Sequence, residues 1–188
     1  MPDKHAVLSA SSSHRWLACP PSALLCAKVG DTTSEFAMQG TDAHSLCEHK
    51  LKKSFGQKSK DPTEDLQYFD EEMADCSDMY AQYVMEQLTA AKEKCKDPIV
   101  LIEQHLDFSK WVPQGFGTGD CVIVADETLQ VIDFKYGVGI LVDAEKNPQM
   151  MCYALGALQL FEGIYDIDSV SMTIFQPRRD NVSTYTIS

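Results

Sequence analysis

The sequence predicts a mixed α/β protein in which helices flank a central mixed β-sheet. Apolar residues recur at helical spacing over much of the chain between residues 41 and 94. Residues 99–136 and 169–187 instead contain short apolar or alternating runs separated by turn residues, as strands do. A predicted helix between these two strand regions has an apolar face that can cover the sheet. We therefore expect one domain over residues 1–188, with a helical part at about 9–95 and a sheet core at about 97–188.

Composition places the chain among ordinary globular proteins. Its 188 residues are 44% hydrophobic and 23% charged, and this length can bury a core without disulfides. Seven cysteines are scattered with no CxxC pair, which favours reduced thiols in the cytoplasm. The first residues have no apolar signal region, and no apolar run is long enough for a membrane span. We expect a soluble cytoplasmic protein without a membrane partner.

The net charge of −12 argues against a general affinity for nucleic acid. The acids are unevenly distributed, however, because eight of them and no base lie between Asp61 and Asp78. A local cationic groove elsewhere, together with a bound divalent metal, can still receive a polyanion. The charge therefore does not exclude a nucleic-acid substrate.

The first half of the chain contains four predicted helical segments. Serines near Ser9 are suited to cap a short helix, and Pro20-Pro21 breaks it before a second piece, Ser22 to Lys28. Residues 30–39 are predicted to form a loop. The two longer helices run from Thr41, as the N-cap, to about Phe55 and from about Glu64 to Lys94.

His44 lies in the first turn of the Thr41 helix, at the edge of its apolar stripe. One interpretation is a partly buried histidine paired with Glu48 one turn later. The other is a metal ligand, and it depends on the acids that follow. Glu103, in a strand predicted from Ile99 to Phe108, is likewise either a polar edge residue or part of a metal site. Strict alternation places Glu103 on one face with Leu101, and Ile102 and Leu106 on the other.

The stretch Gly117 to Tyr136 is predicted to be a β-hairpin. Two apolar runs flank a polar turn, with Asp120 at the start of the first strand and Asp133 and Lys135 at the end of the second. If the loop has an even number of residues, Asp120 lies across from Asp133 on the same face, with the Cβ atoms roughly 5 Å apart. An odd loop would separate them. We expect the even register, because it brings two carboxylates together where they can share a cation.

Asn147-Pro148 is a helix start with Pro at the first position and Asn as its cap. The predicted helix ends near Glu162 and presents Gln149 and Tyr153 on one face. Strands are predicted at Ser169 to Gln176 and Val182 to Ile187.

These features occur in an order that resembles a known family. His44 on a helix, Asp120 after Gly117, the D-x-K of Asp133–Lys135 and the Gln149–Tyr153 pair are similar to the motifs of the RecB-like branch of the PD-(D/E)XK nucleases. The S-x-S…W-x-x-C-P opening between Ser9 and Pro20 is also similar to that branch. Within it, the chain looks closest to phage-associated domains of unassigned function, and the resemblance extends to about Gln176. It implies a restriction-endonuclease-like core.

The resemblance also implies a metal-dependent site. Asp120 and Asp133 would hold Mg²⁺ or Mn²⁺, with His44 and the backbone carbonyl of Phe134 as further ligands. Lys135 would orient a water or stabilise the phosphorane. Gln149 and Tyr153 would contact the phosphate backbone or brace the lysine, and Glu103 matches an acidic position of some relatives.

Some relatives also carry an iron–sulfur cluster built from one early and three late cysteines. Cys19 lies at the position of the early ligand, but no cysteine follows Cys152, so an Fe–S cluster is not expected within this chain. We expect Cys19 to be a packed thiol.

The sequence thus favours a metal-dependent deoxyribonuclease that hydrolyses phosphodiester bonds in phage recombination, repair or DNA processing. DNA would be its substrate, and phage recombination or replication proteins its partners. The alternative is a catalytically inactive member of the same fold that binds nucleic acid or serves in assembly.

Overall fold

The computed structural model describes residues 6–29 and 34–188, which form a five-stranded mixed sheet flanked by helices. The sheet order follows the chain order, β1-β2-β3-β4-β5, and neighbouring strands are antiparallel except for the parallel pair β3 and β4. The predicted α+β fold with helices on the N-terminal side is confirmed. The strands are β1 (Ile99–Asp107), β2 (Phe116–Ala125), β3 (Thr128–Phe134), β4 (Ser169–Gln176) and β5 (Asn181–Ile187).

The helices cover both faces of this sheet. The N-terminal pieces on either side of Pro20 are present as predicted, after a short 3₁₀ turn at Ala10–Ser12. Among the described residues, no helix is both long and apolar enough to cross a membrane. The helices are α1 (Ser13–Ala18), α2 (Pro21–Val29), α3 (Glu35–Ser54), α4 (Glu71–Lys92) and α5 (Pro148–Phe161).

Two predicted helix starts were wrong. The helix α3 begins at Glu35, where the Ser34 hydroxyl accepts a hydrogen bond from the Ala37 amide. Thr41 is therefore inside the helix and not its cap, and its hydroxyl donates to the Ala37 carbonyl. Residues 30–33 of the predicted loop lie outside the described residues. The helix α4 begins at Glu71 and not near Glu64, since Asp70 caps it through the Met73 amide.

The β2–β3 hairpin has the even register that the sequence predicts. Ala125 pairs with Thr128 around a two-residue turn, and the pairing continues without a shift to Cys121 opposite Ile132. Asp126 in the turn has a φ of +49°, a left-handed conformation that Asp tolerates better than most residues. The turn length fixes which residues share a face over the paired part, residues 121–125 and 128–132.

Two hydrophobic cores lie on opposite faces of the sheet. The α3/α4 core contains Leu46 and Tyr80 of the helices with Ile123, Ile132 and Phe134 of the sheet. The α5 core contains the N-terminal helices and α5 with the alternate residues of the same strands. The residues that contribute to the α5 core include Val122, Val124, Val131, Met150, Ala154 and Trp16.

Candidate metal centre

The alternation of side chains between the two faces of the sheet is interrupted in both β1 and β2, at neighbouring positions of the two strands. In β1, Ile102 packs with the α3/α4 core, whereas Leu106, also even-numbered, belongs to the α5 core. In β2, Cys121 belongs to the α3/α4 core, whereas a Cβ atom on Gly119 would meet Leu106 in the α5 core. The predicted strict alternation of β1 was therefore wrong beyond Ile102.

The residues at which the alternation is interrupted are Glu103 in β1 and Asp120 in β2. Glu103 has a φ of +51°, and the pairs on either side of it, Ile102 with Cys121 and Gln104 with Gly119, keep one register. A non-glycine residue in this conformation is sparsely populated and persists where the surrounding structure imposes it. The distortion turns both acidic side chains towards α3.

His44 of α3 meets these two acids. Its Nδ1 lies 3.2 Å from Oδ1 of Asp120, and one ligand atom from each of His44, Glu103 and Asp120 lies within 4.8 Å of the others. We call these residues the three-donor cluster. The His44 side chain is 35% exposed and that of Asp120 is 11% exposed, so the cluster can be reached from solvent.

Backbone and ring contacts hold the cluster in place. The Phe134 amide donates a 2.7 Å hydrogen bond to Oδ2 of Asp120, just beyond the last β2–β3 pair. The Phe134 ring packs edge-on against the His44 imidazole with centroids 5.5 Å apart. Tyr80, fully buried on α4, packs on Phe134 and donates a 3.3 Å hydrogen bond to the Ile132 carbonyl. Its helical spacing identified Tyr80 only as a core residue, and nothing in the sequence marks this support of the site.

Asp133 and Lys135 form a second group next to the three-donor cluster. Lys135 Nζ lies 2.8 Å from Oδ2 of Asp133, whose residue is only 2% exposed. Gln149 on α5 accepts a 3.1 Å hydrogen bond from Lys135 through Oε1. Its Nε2 donates to the Tyr153 hydroxyl at 3.1 Å and, more weakly, to Oδ1 of Asp133 at 3.5 Å. We call these four residues the Lys135 network.

Burial and charge set the protonation of the three-donor cluster. Burial alone would lower the pKa of His44, but the adjacent Asp120 carboxylate outweighs it and raises this pKa from 6.5 to about 9. The same ion pair keeps the pKa of Asp120 below its usual value in spite of burial. Burial, followed by the charge of Asp120, raises the pKa of Glu103 to about 8. Without a metal at pH 7, the cluster therefore holds one charged pair and one neutral acid.

The Lys135 network has a different balance. Burial, with a further contribution from Asp120, raises the pKa of Asp133 although the Lys135 ammonium is adjacent. Burial would lower the pKa of Lys135, but the Asp133 carboxylate reverses this and raises it. Burial also raises the pKa of the Tyr153 hydroxyl, so this group remains a neutral hydrogen-bonding partner of Gln149.

The three-donor cluster fits a hard divalent cation. Two carboxylates and one imidazole are suitable ligands for Mn²⁺, and carboxylate oxygens also suit Mg²⁺. Among the described residues, this is the group of three such donors close enough together to share an ion. Oδ2 of Asp133 is buried beside the Lys135 ammonium, 2.8 Å away, and so already has a cationic partner.

The structure thus brings the predicted site residues together in two groups. His44, Asp120 and Glu103 converge, whereas Asp133 lies beside them with Lys135. The expectation that Asp120 and Asp133 share a face was wrong, because Asp120 contacts His44 on α3 and Asp133 contacts Gln149 on α5. Glu103 joins the donors more directly than its sequence context indicated, because the backbone distortion of β1 cannot be read from side-chain alternation. Phe134 contributes its amide and its ring, and its carbonyl remains a predicted ligand.

Two further expectations were wrong. Glu48 does not pair with His44, because its carboxylate binds Lys52 one turn later on α3. Cys19 is not a packed thiol, because it is exposed at the end of α1.

The family to which the chain belongs is shown by its sequence. The model of the DUF2800 family, described as a protein of unknown function, matches residues 5–188. The match covers nearly the whole chain, so the chain belongs to the DUF2800 family.

Proposed function

We propose that this DUF2800 protein is a metal-dependent deoxyribonuclease that hydrolyses phosphodiester bonds in DNA. The observation that carries the proposal is the three-donor cluster of His44, Glu103 and Asp120 with the partly buried Lys135 network beside it. The order of these residues along the chain resembles that of RecB-like nucleases, and this supports the same chemistry.

The cluster would hold Mg²⁺ or Mn²⁺, with Asp133 next to it as a further acceptor. A bound divalent cation lowers the pKa of a coordinated water and neutralises charge on the scissile phosphate. His44 is fixed for this role by Asp120 and by the Phe134 ring, and Asp120 is fixed by the Phe134 amide. The ligands therefore need little rearrangement.

Lys135 is the group that would act on the phosphate or on the attacking water. Its side chain is 26% exposed, and the partners that orient it are Asp133 and Gln149. A preorganised ammonium group stabilises the negative charge that develops on phosphate oxygens during hydrolysis. Gln149 in turn is fixed by Tyr153, so the Lys135 position depends on α5 as well as on β3.

Three features of the site favour phosphodiester hydrolysis over glycoside hydrolysis by a pair of carboxylic acids. The imidazole of His44 lies among the acids, the Lys135 ammonium contacts Asp133, and the donors can share one cation. A glycosidase requires a general acid opposite a second carboxylate across a sugar-binding cleft. The cationic neighbours instead suit an anionic substrate.

The direct test is a cleavage panel with Mn²⁺ or Mg²⁺ on labelled linear, circular and single-stranded DNA. The wild type is expected to cleave in a metal-dependent manner, and Asp133→Ala and Lys135→Ala to lose the activity. Glu127→Ala is the matched control, because it removes an exposed acid at the other end of the same hairpin. Undiminished cleavage by both site variants would refute the assignment of the site. DNA binding by the wild type without any cleavage would favour the inactive binding module.

A further inference from the structure

A second polar feature lies beside the N-terminal helices. It is a cleft of about 560 Å³ formed by the segment before α1, the start of α1 and one side of α2. Five polar side chains line much of it: Ser9, Ser11, Ser12, His14 and Arg15. We call this feature the serine cleft.

The surroundings of the serine cleft contrast with the charge of the whole chain. Residues 6–29 include the cations Arg15 and Lys28 and no acid, although the chain carries a net charge of −12. Arg15 and His14 are exposed. In the part of the chain that the structure describes, none of the ion pairs involves Arg15. Its guanidinium is therefore available to an anion from outside.

Internal hydrogen bonds fix the serines of the cleft. The Ser9 and Ser12 hydroxyls lie 2.8 Å apart, and the Ser12 hydroxyl donates to the Ser9 carbonyl at 3.2 Å. The indole of buried Trp16 donates to the same carbonyl at 2.9 Å. A rim held in this way loses little conformational freedom when a ligand binds.

The serine cleft is connected to the Lys135 network by direct packing. Ala10, between Ser9 and Ser11, is fully buried, and a Cβ atom on Gly117 would lie 3.1 Å from the Ala10 Cβ. The same Cβ atom would lie 2.8 Å from the Tyr153 ring, whose hydroxyl belongs to the Lys135 network. The rim of the cleft and the network thus contact the same position of β2.

We propose that the serine cleft binds the phosphodiester backbone of the DNA strand that extends from the metal centre. Arginine forms bidentate hydrogen bonds with phosphate. Because the Ser12 hydroxyl donates to the Ser9 carbonyl and the Ser9 hydroxyl to Ser12, the Ser11 hydroxyl is the serine donor left for a phosphate oxygen. The acid-free rim suits a polyanion that the rest of the surface would repel. This inference deepens the proposed deoxyribonuclease function and rests on it for the identity of the ligand.

The test compares Arg15→Gln with Lys96→Gln in binding to fluorescently labelled DNA, measured in EDTA so that no cleavage takes place. Each variant removes one exposed positive charge, and Lys96 precedes β1 at the end of the sheet that carries the hairpin turn. Arg15→Gln is expected to weaken binding roughly tenfold, as the loss of a charged hydrogen-bonding group does. It should also reduce the slope of log affinity against log salt by about 1. Lys96→Gln should leave affinity and slope close to those of the wild type.

Arg15→Lys separates the contribution of charge from that of hydrogen-bond geometry. It should restore the salt slope but not the full affinity, because lysine keeps the charge without the bidentate geometry. Equal affinities of Arg15→Gln and Lys96→Gln, or no DNA binding by the wild type, would overturn the serine cleft. Weaker binding by Arg15→Gln in a protein that never cleaves DNA would retain the cleft and reject the deoxyribonuclease.

Discussion

The three-donor cluster and the Lys135 network both place acids in buried surroundings at the same end of the hairpin, but they neutralise those acids differently. Asp133 has a lysine within 2.8 Å that remains charged over the physiological range. Glu103 and Asp120 face a single histidine, and Glu103 keeps its proton up to a pH of about 8. The cluster therefore has two carboxyl groups and only one group that can be positively charged. A divalent cation would supply the positive charge needed to ionise both carboxyl groups. In the Lys135 network the charges of Asp133 and Lys135 already balance each other, which suits this network to act on substrate.

The largest expected effects are on Mn²⁺ affinity and DNA cleavage, and they distinguish the three-donor cluster from the Lys135 network. Asp120→Asn removes a charged donor from the cluster and should weaken Mn²⁺ binding by about a hundredfold or more, with loss of DNA cleavage. Lys135→Met should reduce cleavage by a similar factor, because it removes a preorganised charge from the reacting phosphate. It should leave Mn²⁺ affinity equal or slightly higher, since a neighbouring positive charge is gone.

Calorimetric titration with Mn²⁺ and a cleavage assay on the same samples give both values. Asp126→Asn, in the hairpin turn, is the control for the loss of one acid from β2–β3. The division between the groups fails if Lys135→Met loses Mn²⁺ binding as completely as Asp120→Asn does.

A smaller effect concerns the helices that carry the two groups. A Cβ atom on Gly156 of α5 would lie 2.8 Å from the Leu106 Cβ and 3.0 Å from its carbonyl carbon, so α5 packs directly on the β1 backbone. Gly156→Ala should destabilise the fold by about 2 kcal/mol. Gly40, inside α3, has nothing within 4 Å of that position, and Gly40→Ala should stabilise the fold by about 0.5–1 kcal/mol. Urea unfolding measures both, and equal shifts in the two variants would show that the helices are packed alike.

A separate effect is the pH dependence of the metal-free protein. A carboxyl whose pKa is raised on folding stabilises the protein below its unfolded pKa, and that stability is lost as pH rises through the folded pKa. For Glu103 the loss falls between 4.5 and about 8, and for His44 between 6.5 and about 9. The stability of the wild type relative to Glu103→Gln should therefore decrease as pH rises from 4.5 to 8. The loss is at most about 1.4 kcal/mol per pH unit for one proton.

Thermal unfolding in EDTA at several pH values measures this difference. Glu127→Gln, on the exposed hairpin turn, controls for the removal of a carboxylate. A stability of Glu103→Gln relative to the wild type that falls or stays constant over this range would show that Glu103 does not carry a proton in the cluster. Added Mn²⁺ should stabilise the wild type more at pH 9 than at pH 6, since bound ligands must lose their protons.

Local rules were sufficient where the sequence leaves few choices. The even parity of β2 against β3 is confirmed. The polar residues of the turn leave an odd loop open, and the expected metal site decides between the two. Asn147-Pro148 defines the start of α5, and the four-residue spacing of Gln149 and Tyr153 gives the hydrogen bond seen between them. The features of α5 depend on neighbours in sequence, so they were predictable.

The remaining features depend on tertiary contacts. Gly40 and Thr41 resemble a helix start, yet α3 continues through them because Ser34 supplies the cap and a glycine is tolerated inside a helix. The positive φ of Glu103 and the change of face in β1 and β2 arise where two strands and α3 meet. No periodicity of the side chains records such a conformation, and for this reason Glu103 looked less important than Asp133.

The most direct test of the metal centre is pulsed electron paramagnetic resonance on the protein loaded with Mn²⁺. A Mn²⁺ ion held by the three-donor cluster has the His44 imidazole as a ligand, and its spectrum should show coupling to a nitrogen nucleus. That coupling should disappear in His44→Gln and persist in the control His14→Gln, which changes an exposed histidine of the serine cleft. A bound Mn²⁺ without nitrogen coupling, or a coupling that survives in His44→Gln, would contradict a metal centre at His44, Glu103 and Asp120.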